Sequence, residues 1–289
     1  MRKRLPHIGF QHSWCKDLSM RYSGIQPQYF PRIHYFARIL QSDFFMIRDD
    51  CQFVRNHKYP DGKRKPSYQA HTPIKQLEGV RLLAVSVKHR DVFAPISKTD
   101  FILNGNWVKD HLNILKANYY KSPHFATLFP EIERILAEKF ESLSELNIAT
   151  VNWGLLHFLD IPFKHINQCS LDYINSVLSK QNIFRLRNIQ LASQTKSVKN
   201  FTGMSANEKI VALCKEIGVT EDYCGGTAMS AYLDEDIFAK NGILVTVQDW
   251  KCTVYPQQFA KQVGFIPNLS LIDLFMNVSR EQALDIIIG

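Results

Sequence analysis

The chain has 289 residues, 35 Lys+Arg against 27 Asp+Glu for a formal net charge of +8, and 45% hydrophobic residues. That apolar content builds a packed core and excludes a disordered or low-complexity chain. No apolar run approaches the roughly 20 residues that span a bilayer. The charge excess is local: residues 1–90 carry 17 Lys/Arg and 6 Asp/Glu, whereas residues 91–289 carry 18 and 21. A basic first third suits phosphates, acidic glycans, nucleic acid or an anionic membrane surface, with a merely solvated basic face as the plain alternative. The opening Met1-Arg-Lys-Arg4 lacks the apolar stretch of a secretory signal, and the six cysteines show no CxxC or other metal-ligand spacing. Both features point to reduced thiols in a cytoplasmic protein. The ten histidines all lie at or before His165, which argues against a Cys/His metal site in the last third, and no metal site is expected.

In chain order, residues 1–23 show no periodicity and read as an N-terminal arm. Gly24 to Pro31 reads as a short strand entering a loop held by Pro27 and Pro31. Ile33, Phe36, Ala37 and Leu40 have helical spacing over 33–41. Phe44-Phe-Met-Ile47 reads as a buried parallel strand whose carboxylates, Asp49 and Asp50, emerge at its C-terminal end. Strand, loop, helix and strand make a βαβ unit with a right-handed crossover. Residues 55–75 form a polar, basic excursion whose Pro60-Asp-Gly62 signals the tip of a hairpin or an active-site loop.

Val80–Val87 alternates as a strand, and Trp107–Tyr120, Pro130–Glu141 and Leu146–Leu159 are helical by pattern. Further on, Asn188–Ala192 and Asp222–Cys224 read as strands. Asn207–Ile217 reads as a helix closed by Gly218, and Ala231–Asn241 as another closed by Gly242. Ile243–Asp249 is the clearest strand. The fold class expected is α/β: a mostly parallel, Rossmann-like three-layer sheet with a helical insertion at about 105–160.

Several residues have chemistry to offer. Adjacent carboxylates at a strand end point to opposite sides, so one of Asp49 and Asp50 can face the crevice of an α/β sheet as a general base or cation ligand. Capping a turn is the structural alternative. Gln26 and Gln52 offer both donor and acceptor to a sugar or amide, or else pair loop backbone. Trp107 and His111, four apart, share a helix face and suit stacking beside an acid or base; a packed Trp with a surface His is equally physical. Gly225-Gly226 lets backbone approach an anion, although the full phosphate-loop pattern is missing. Tyr232 and Asp234 fall in the next helix, and Gln248 with Tyr255-Pro-Gln257 converges on the same sheet edge. Cys51 and Cys224 are read as buried thiols, with a nucleophilic role the minor reading for Cys224. The basic loop carries Arg55, His57, Lys58, Lys63, Arg64, Lys65, His71 and Lys75 beside Tyr59 and Tyr68, a set that suits phosphate.

Ile25-Gln-Pro-Gln-Tyr-Phe-Pro-Arg-Ile-His-Tyr-Phe36 resembles the opening Gln-Pro-x-[Tyr/Phe]-[Phe/Leu]-Pro motif of the WbqC-like protein family. Asp49-Asp-Cys-Gln-Phe-Val-Arg-Asn56 is similar to its Asp-Asp-Val-Gln-Phe stretch. Collinear likenesses follow at Trp107-x3-His111-Leu112, Tyr119–Phe125, Leu146-Asn147, Cys224-Gly-Gly-(x5)-Tyr232-Leu-Asp234, Gly242-Ile, Gln248-Asp, Tyr255-Pro-Gln257 and Phe265–Asp273. The chain departs at His34, where the family often has glycine, and at the basic loop, which replaces an Asn-Arg-Asn-Arg-Ile segment.

The resemblance implies one domain over residues 24–289 and a place in O-antigen or other surface-polysaccharide biosynthesis. The reading is a transferase that moves an aminoacyl or acyl group, glycyl being one suggestion, onto an amino sugar or nucleotide-sugar. The alternative is a non-enzymatic module that binds an anionic glycan or nucleotide-sugar intermediate. The catalytic candidates are Asp49, Asp50 and His111. The substrate-binding candidates are Gln26, Tyr29, Gln52, Arg55, Asn56, Trp107, Gly225, Gly226, Tyr232, Asp234, Gln248, Tyr255 and Gln257. Expected partners are a small sugar or nucleotide-sugar and an acyl or aminoacyl donor or carrier protein. In the absence of a recognised nucleic-acid fold, small phosphates are favoured over nucleic acid. No cofactor is named by the residues.

Overall fold

The computed structural model describes residues 19–58, 62, 64–88, 94–100 and 105–289. The arm through residue 18, Tyr59, Pro60, Asp61 and Lys63 lie outside the described residues. Elements follow as β1 (Arg21–Ile25), α1 (Ile33–Ile39), β2 (Phe44–Ile47), β3 (Asn56–Lys58), β4 (Arg64–Pro66), β5 (His71–Gln76) and β6 (Gly79–Ala84). Then come α2 (Trp107–Tyr119), α3 (Phe125–Ala137), α4 (Leu143–Phe158), α5 (Leu171–Leu178), β7 (Asn188–Leu191), α6 (Ala206–Ile217), β8 (Glu221–Cys224), α7 (Gly226–Ala231), α8 (Glu235–Ala239), β9 (Leu244–Val247), α9 (Ala260–Val263), α10 (Leu271–Asn277) and α11 (Arg280–Ile288).

Five strands form one all-parallel sheet in the order β7-β2-β1-β8-β9, the mixed α/β class expected. β3–β4 and β5–β6 are separate antiparallel hairpins. β1, central in the sheet, begins at Arg21, inside the segment whose pattern suggested an arm. Counting outward from β1, the chain builds β2 and β7 on one side, then crosses to build β8 and β9 on the other. The order therefore reverses between β1 and β8, which is where α/β sheets open a crevice at their strand C-termini.

Both faces of the sheet are buried. Phe45 and Ile47 enter the larger core with α1, α4, α10 and α11. Tyr22 and Met46 enter a smaller core with Ile210, Leu213 and Phe238. The period-2 alternation of a strand makes that division.

Three differences from the sequence pattern have local causes. The helix expected from Pro130 starts a turn earlier, at Phe125, and takes Pro130 into its interior at the loss of one backbone rung. The helix expected over 231–241 is shortened to α8, because the Asp234 side chain accepts from Asp236 N–H at 3.1 Å and caps a start there, and α7 precedes it as a separate short helix. The basic excursion is two hairpin pieces rather than one loop, and its end, His71–Lys75, is buried. Lys75 Nζ donates to Gln257 Oε1 at 3.0 Å and to the Gly264 carbonyl, so this lysine is an internal brace. Helices α5, α10 and α11 have no counterpart in the sequence reading, yet each begins at a serine cap, Ser170, Ser270 and Ser279.

Candidate functional site

A cleft of about 570 Å³ opens at the C-terminal edge of the sheet, on the switch point between β1 and β8. That size suits a ligand of drug or nucleotide-sugar dimensions. β1 and its loop supply Gly24, Ile25, Gln26 and Gln28; β2 supplies Arg48 and then Cys51; β8 supplies Asp222, Cys224 and Gly225; β9 leads to Gln248 and Trp250. α1 brings His34 and Arg38, one turn apart on one face.

Arg38 is the distinctive cation of the cleft. Its Nε donates to Gln248 Oε1 at 3.0 Å, and no carboxylate pairs with it among the described residues. Gln248 is fixed in turn by donating to the His34 carbonyl at 3.0 Å. Gly225 is required for this arrangement: a Cβ there would stand 2.3 Å from Arg38 Nη2 and 2.9 Å from Cζ. Arg48 is held differently, with a bidentate grip on Asp50 at 2.8 and 2.9 Å. It shares the face of Met46 and Phe44, two and four residues back along β2.

His34 donates from Nδ1 to Asn268 Oδ1 at 3.0 Å, since that oxygen only accepts, which leaves Nε2 as the unprotonated nitrogen. Burial first, and then the charge of Arg38, push this imidazole down to about 4, so it is neutral at pH 7. Asp222 lies on the floor, 3% exposed. Burial lifts its carboxyl to about 7 against the opposing pull of Arg38 and Arg48. A carboxyl that titrates near neutrality in a cleft marks a place for proton chemistry.

The structure divides the sequence candidates. Gln26, Gly225, Gly226, Tyr232 and Gln248 line the cleft. Gln26 Oε1 accepts from Gln69 at 2.8 Å and Tyr68 at 3.3 Å. Asp49 does not line it: buried, it accepts from the Ser193 backbone N–H at 2.9 Å and from the Ser193 hydroxyl, and so ties the end of β2 to the end of β7. Asp50 does not line the cleft but grips Arg48 and accepts from the Cys51 thiol, which do. His111 is in the core, where Nε2 donates to the Ala84 carbonyl at 3.1 Å and Nδ1 accepts the Tyr29 hydroxyl at 3.0 Å. Burial pushes this imidazole down to about 4. Trp107 packs edge-on against Tyr29 and His111 in the same cluster.

Arg55 and Asn56 border a separate groove of about 380 Å³ beside β4 and β6, and Gln52 sits in an isolated bridge to Pro95. Asp234 is the α8 cap. Tyr255 donates to Asp273 at 2.7 Å, and Gln257 accepts from Lys75, both inside a buried polar network. Among the described residues, the basic side chains lining the cleft are Arg32, Arg38 and Arg48, and the 55–75 excursion contributes Tyr68.

Sequence reasoning missed Arg38, Arg48, His34 and Asp222. One signal was present: His34 and Arg38 are the only polar side chains in an otherwise apolar or aromatic α1, and they are four apart. Asp222 had none, because nothing local distinguishes a strand carboxylate at a switch point. Among the described residues, no group of three His, Cys, Asp or Glu could hold a metal, and no helix is long and apolar enough to cross a membrane.

An all-parallel sheet with a charged cleft at its switch point defines a Rossmann-like α/β protein with its ligand edge at the strand C-termini. The sequence profile of the WbqC-like protein family matches residues 26–284, nearly the whole chain, and the protein belongs to that family. It is similar to a protein of Mycobacterium tuberculosis named "Uncharacterized protein Rv1507c", 27% identical over 259 residues that cover 89% of this chain and 93% of that one. No solved structure gives a significant match.

Proposed function

We propose that the protein is a transferase of surface-polysaccharide biosynthesis that moves an acyl or aminoacyl group, such as glycyl, onto an amino sugar or nucleotide-sugar bound in the switch-point cleft. The observation that carries the reading is Arg38: a half-buried guanidinium with no carboxylate partner among the described residues, held by Gln248 against Gly225. A ligand phosphate supplies the missing anion, with Arg32 and Arg48 beside it. The family resemblance supports the pathway. Asp222 takes the proton from the acceptor's nucleophilic atom as that atom bonds to the acyl carbon and the donor's leaving group departs. Asp49 and Asp50 position strand ends and Arg48 rather than touching substrate.

Titration calorimetry with uridine and thymidine diphosphate sugars tests the anchor. Arg38→Gln is expected to weaken binding at least ten-fold, and equal affinity in the variant refutes the assignment. With an activated acyl donor added, Asp222→Asn is expected to abolish transfer while binding persists. Binding without transfer by the wild-type protein, from any acyl donor, establishes the binding-module alternative instead.

A further inference from the structure

We infer that Tyr22 and Asp222, paired on the floor of the cleft, form a subsite for a primary ammonium group, so that the occupant carries an amine as well as the anion held by Arg38. The inference rests on the proposed occupancy of the cleft and names which group of the acceptor reaches its floor.

The strand register sets Tyr22 directly beside Asp222 across β1 and β8, so both side chains leave the same face of the sheet. Tyr22 then runs along its own strand over Gly24, where a Cβ would stand 2.2 Å from the hydroxyl oxygen. The missing side chain at Gly24 lets the hydroxyl extend towards the C-terminal edge, where the cleft opens. Both residues line the cleft, and they are 1% and 3% exposed. Tyr22 Oη and Asp222 Oδ2 are buried with no hydrogen-bond partner among the described residues.

Buried polar atoms are almost always paired in native proteins, so two orphans from register-paired residues on the floor of one cleft mark a place that a ligand fills. Both atoms accept. Neighbouring arginines do not serve them: Arg48 spends its fork on Asp50, and Arg38 donates from Nε to Gln248. A primary ammonium is compact and has three donors, enough to reach both oxygens and to place a positive charge against the carboxylate. A hydroxyl can pair both groups, donating to the carboxylate and accepting from the phenolic O–H, but it brings no positive charge to the buried carboxylate. Burial that holds the Asp222 carboxyl up to about 7 is what a neighbouring ligand cation would relieve.

The test is calorimetry at pH 8 with nucleotide-sugar pairs that carry either a free amine or a hydroxyl at the same ring position, taken at C2, C3, C4 and C6. At least one amine member is expected to bind ten-fold or more tightly than its hydroxyl partner. Asp222→Asn removes that preference, lowering the amine member's affinity ten-fold or more and the hydroxyl partner's by much less, Tyr22→Phe reduces it several-fold, and Arg38→Gln weakens both members alike. Both floor variants delete or neutralise an orphan, so their melting temperatures are expected not to fall, which separates a ligand role from a structural one. Equal binding within every pair, as when an ordered water alone fills the floor, overturns the inference, as does a preference that survives Asp222→Asn. If no nucleotide-sugar binds the wild-type protein, the nucleotide-sugar reading fails. Ethanolamine phosphate against ethylene glycol phosphate then decides the subsite alone: an amine preference lost in Asp222→Asn upholds it, and none refutes it.

Discussion

Replacing Asp222 by asparagine gives a stability change whose pH dependence follows from where the carboxyl sits. Its folded value of about 7 stands above the ordinary 3.8, because burial opposes ionisation more than Arg38 and Arg48 favour it. The protonated group therefore costs the fold nothing extra at low pH, and the penalty grows as pH rises from about 4 to about 7, where it levels off. At about 1.4 kcal/mol per pH unit, the raised carboxyl of Asp222 destabilises the wild-type fold by about 2 kcal/mol at pH 5, where only the unfolded chain ionises it, and by about 4 kcal/mol at pH 9. The amide of the Asp222→Asn variant has no such titration, whatever its own pairing costs. The stability of Asp222→Asn minus that of wild type is thus expected to rise by about 2–3 kcal/mol between pH 5 and pH 9. Urea denaturation of both proteins across that range measures it. Asp273, buried between two tyrosine hydroxyls with its carboxyl pushed up to about 6, titrates in both proteins and cancels in the difference. A difference that stays flat with pH refutes the assignment of a buried, unpaired carboxyl at this position.

Other substitutions separate support from function. Gly225→Ala drives a Cβ into the far end of the flexible Arg38 side chain, so stability is expected to hold within about 1 kcal/mol while phosphate-ligand affinity falls at least ten-fold, read by calorimetry. Gly154→Ala ought to gain about 1 kcal/mol from helix propensity. Its Cβ would instead meet Leu271 at 2.3 Å and the Phe36 ring at 2.6 Å, so thermal denaturation is expected to show a net loss of about 1–3 kcal/mol. His111→Ala removes both hydrogen bonds of a core imidazole and is expected to cost about 2–4 kcal/mol with ligand affinity unchanged; unaltered stability with lost activity would return His111 to the chemistry. Asp49→Asn leaves one Ser193 donor unmet and is expected to lower the urea midpoint by about 1–3 kcal/mol of stability.

The α/β class was legible because strand and helix periods are local: Phe44–Ile47, Leu244–Val247 and Ala206–Ile217 appear close to where their patterns put them. Glycines closing α6 at Gly218 and preceding β9 at Gly242 were legible for the same reason, both at positive φ. The opening Gln-Pro-Gln-Tyr-Phe-Pro stretch and Asp49-Asp50 stood out as motifs, but much of what they do is hold the fold. Tyr29 and Phe30 are core residues, and Asp49 ties two strand ends together.

By itself, then, the amino-acid sequence determined the alternation of elements, the glycine stops, the family likeness and the concentration of positive charge in the first third. Which charges meet was decided only by the tertiary structure. Arg38, Gly225 and Gln248 converge although about 190 and 210 residues of separation divide Arg38 from the other two, because a parallel sheet with a reversal between β1 and β8 brings distant strand ends to one edge. Asp222 became unusual for the same reason. A carboxylate's acidity is set by what surrounds it in space, and its neighbours Tyr22, Arg38 and Arg48 lie far away along the chain.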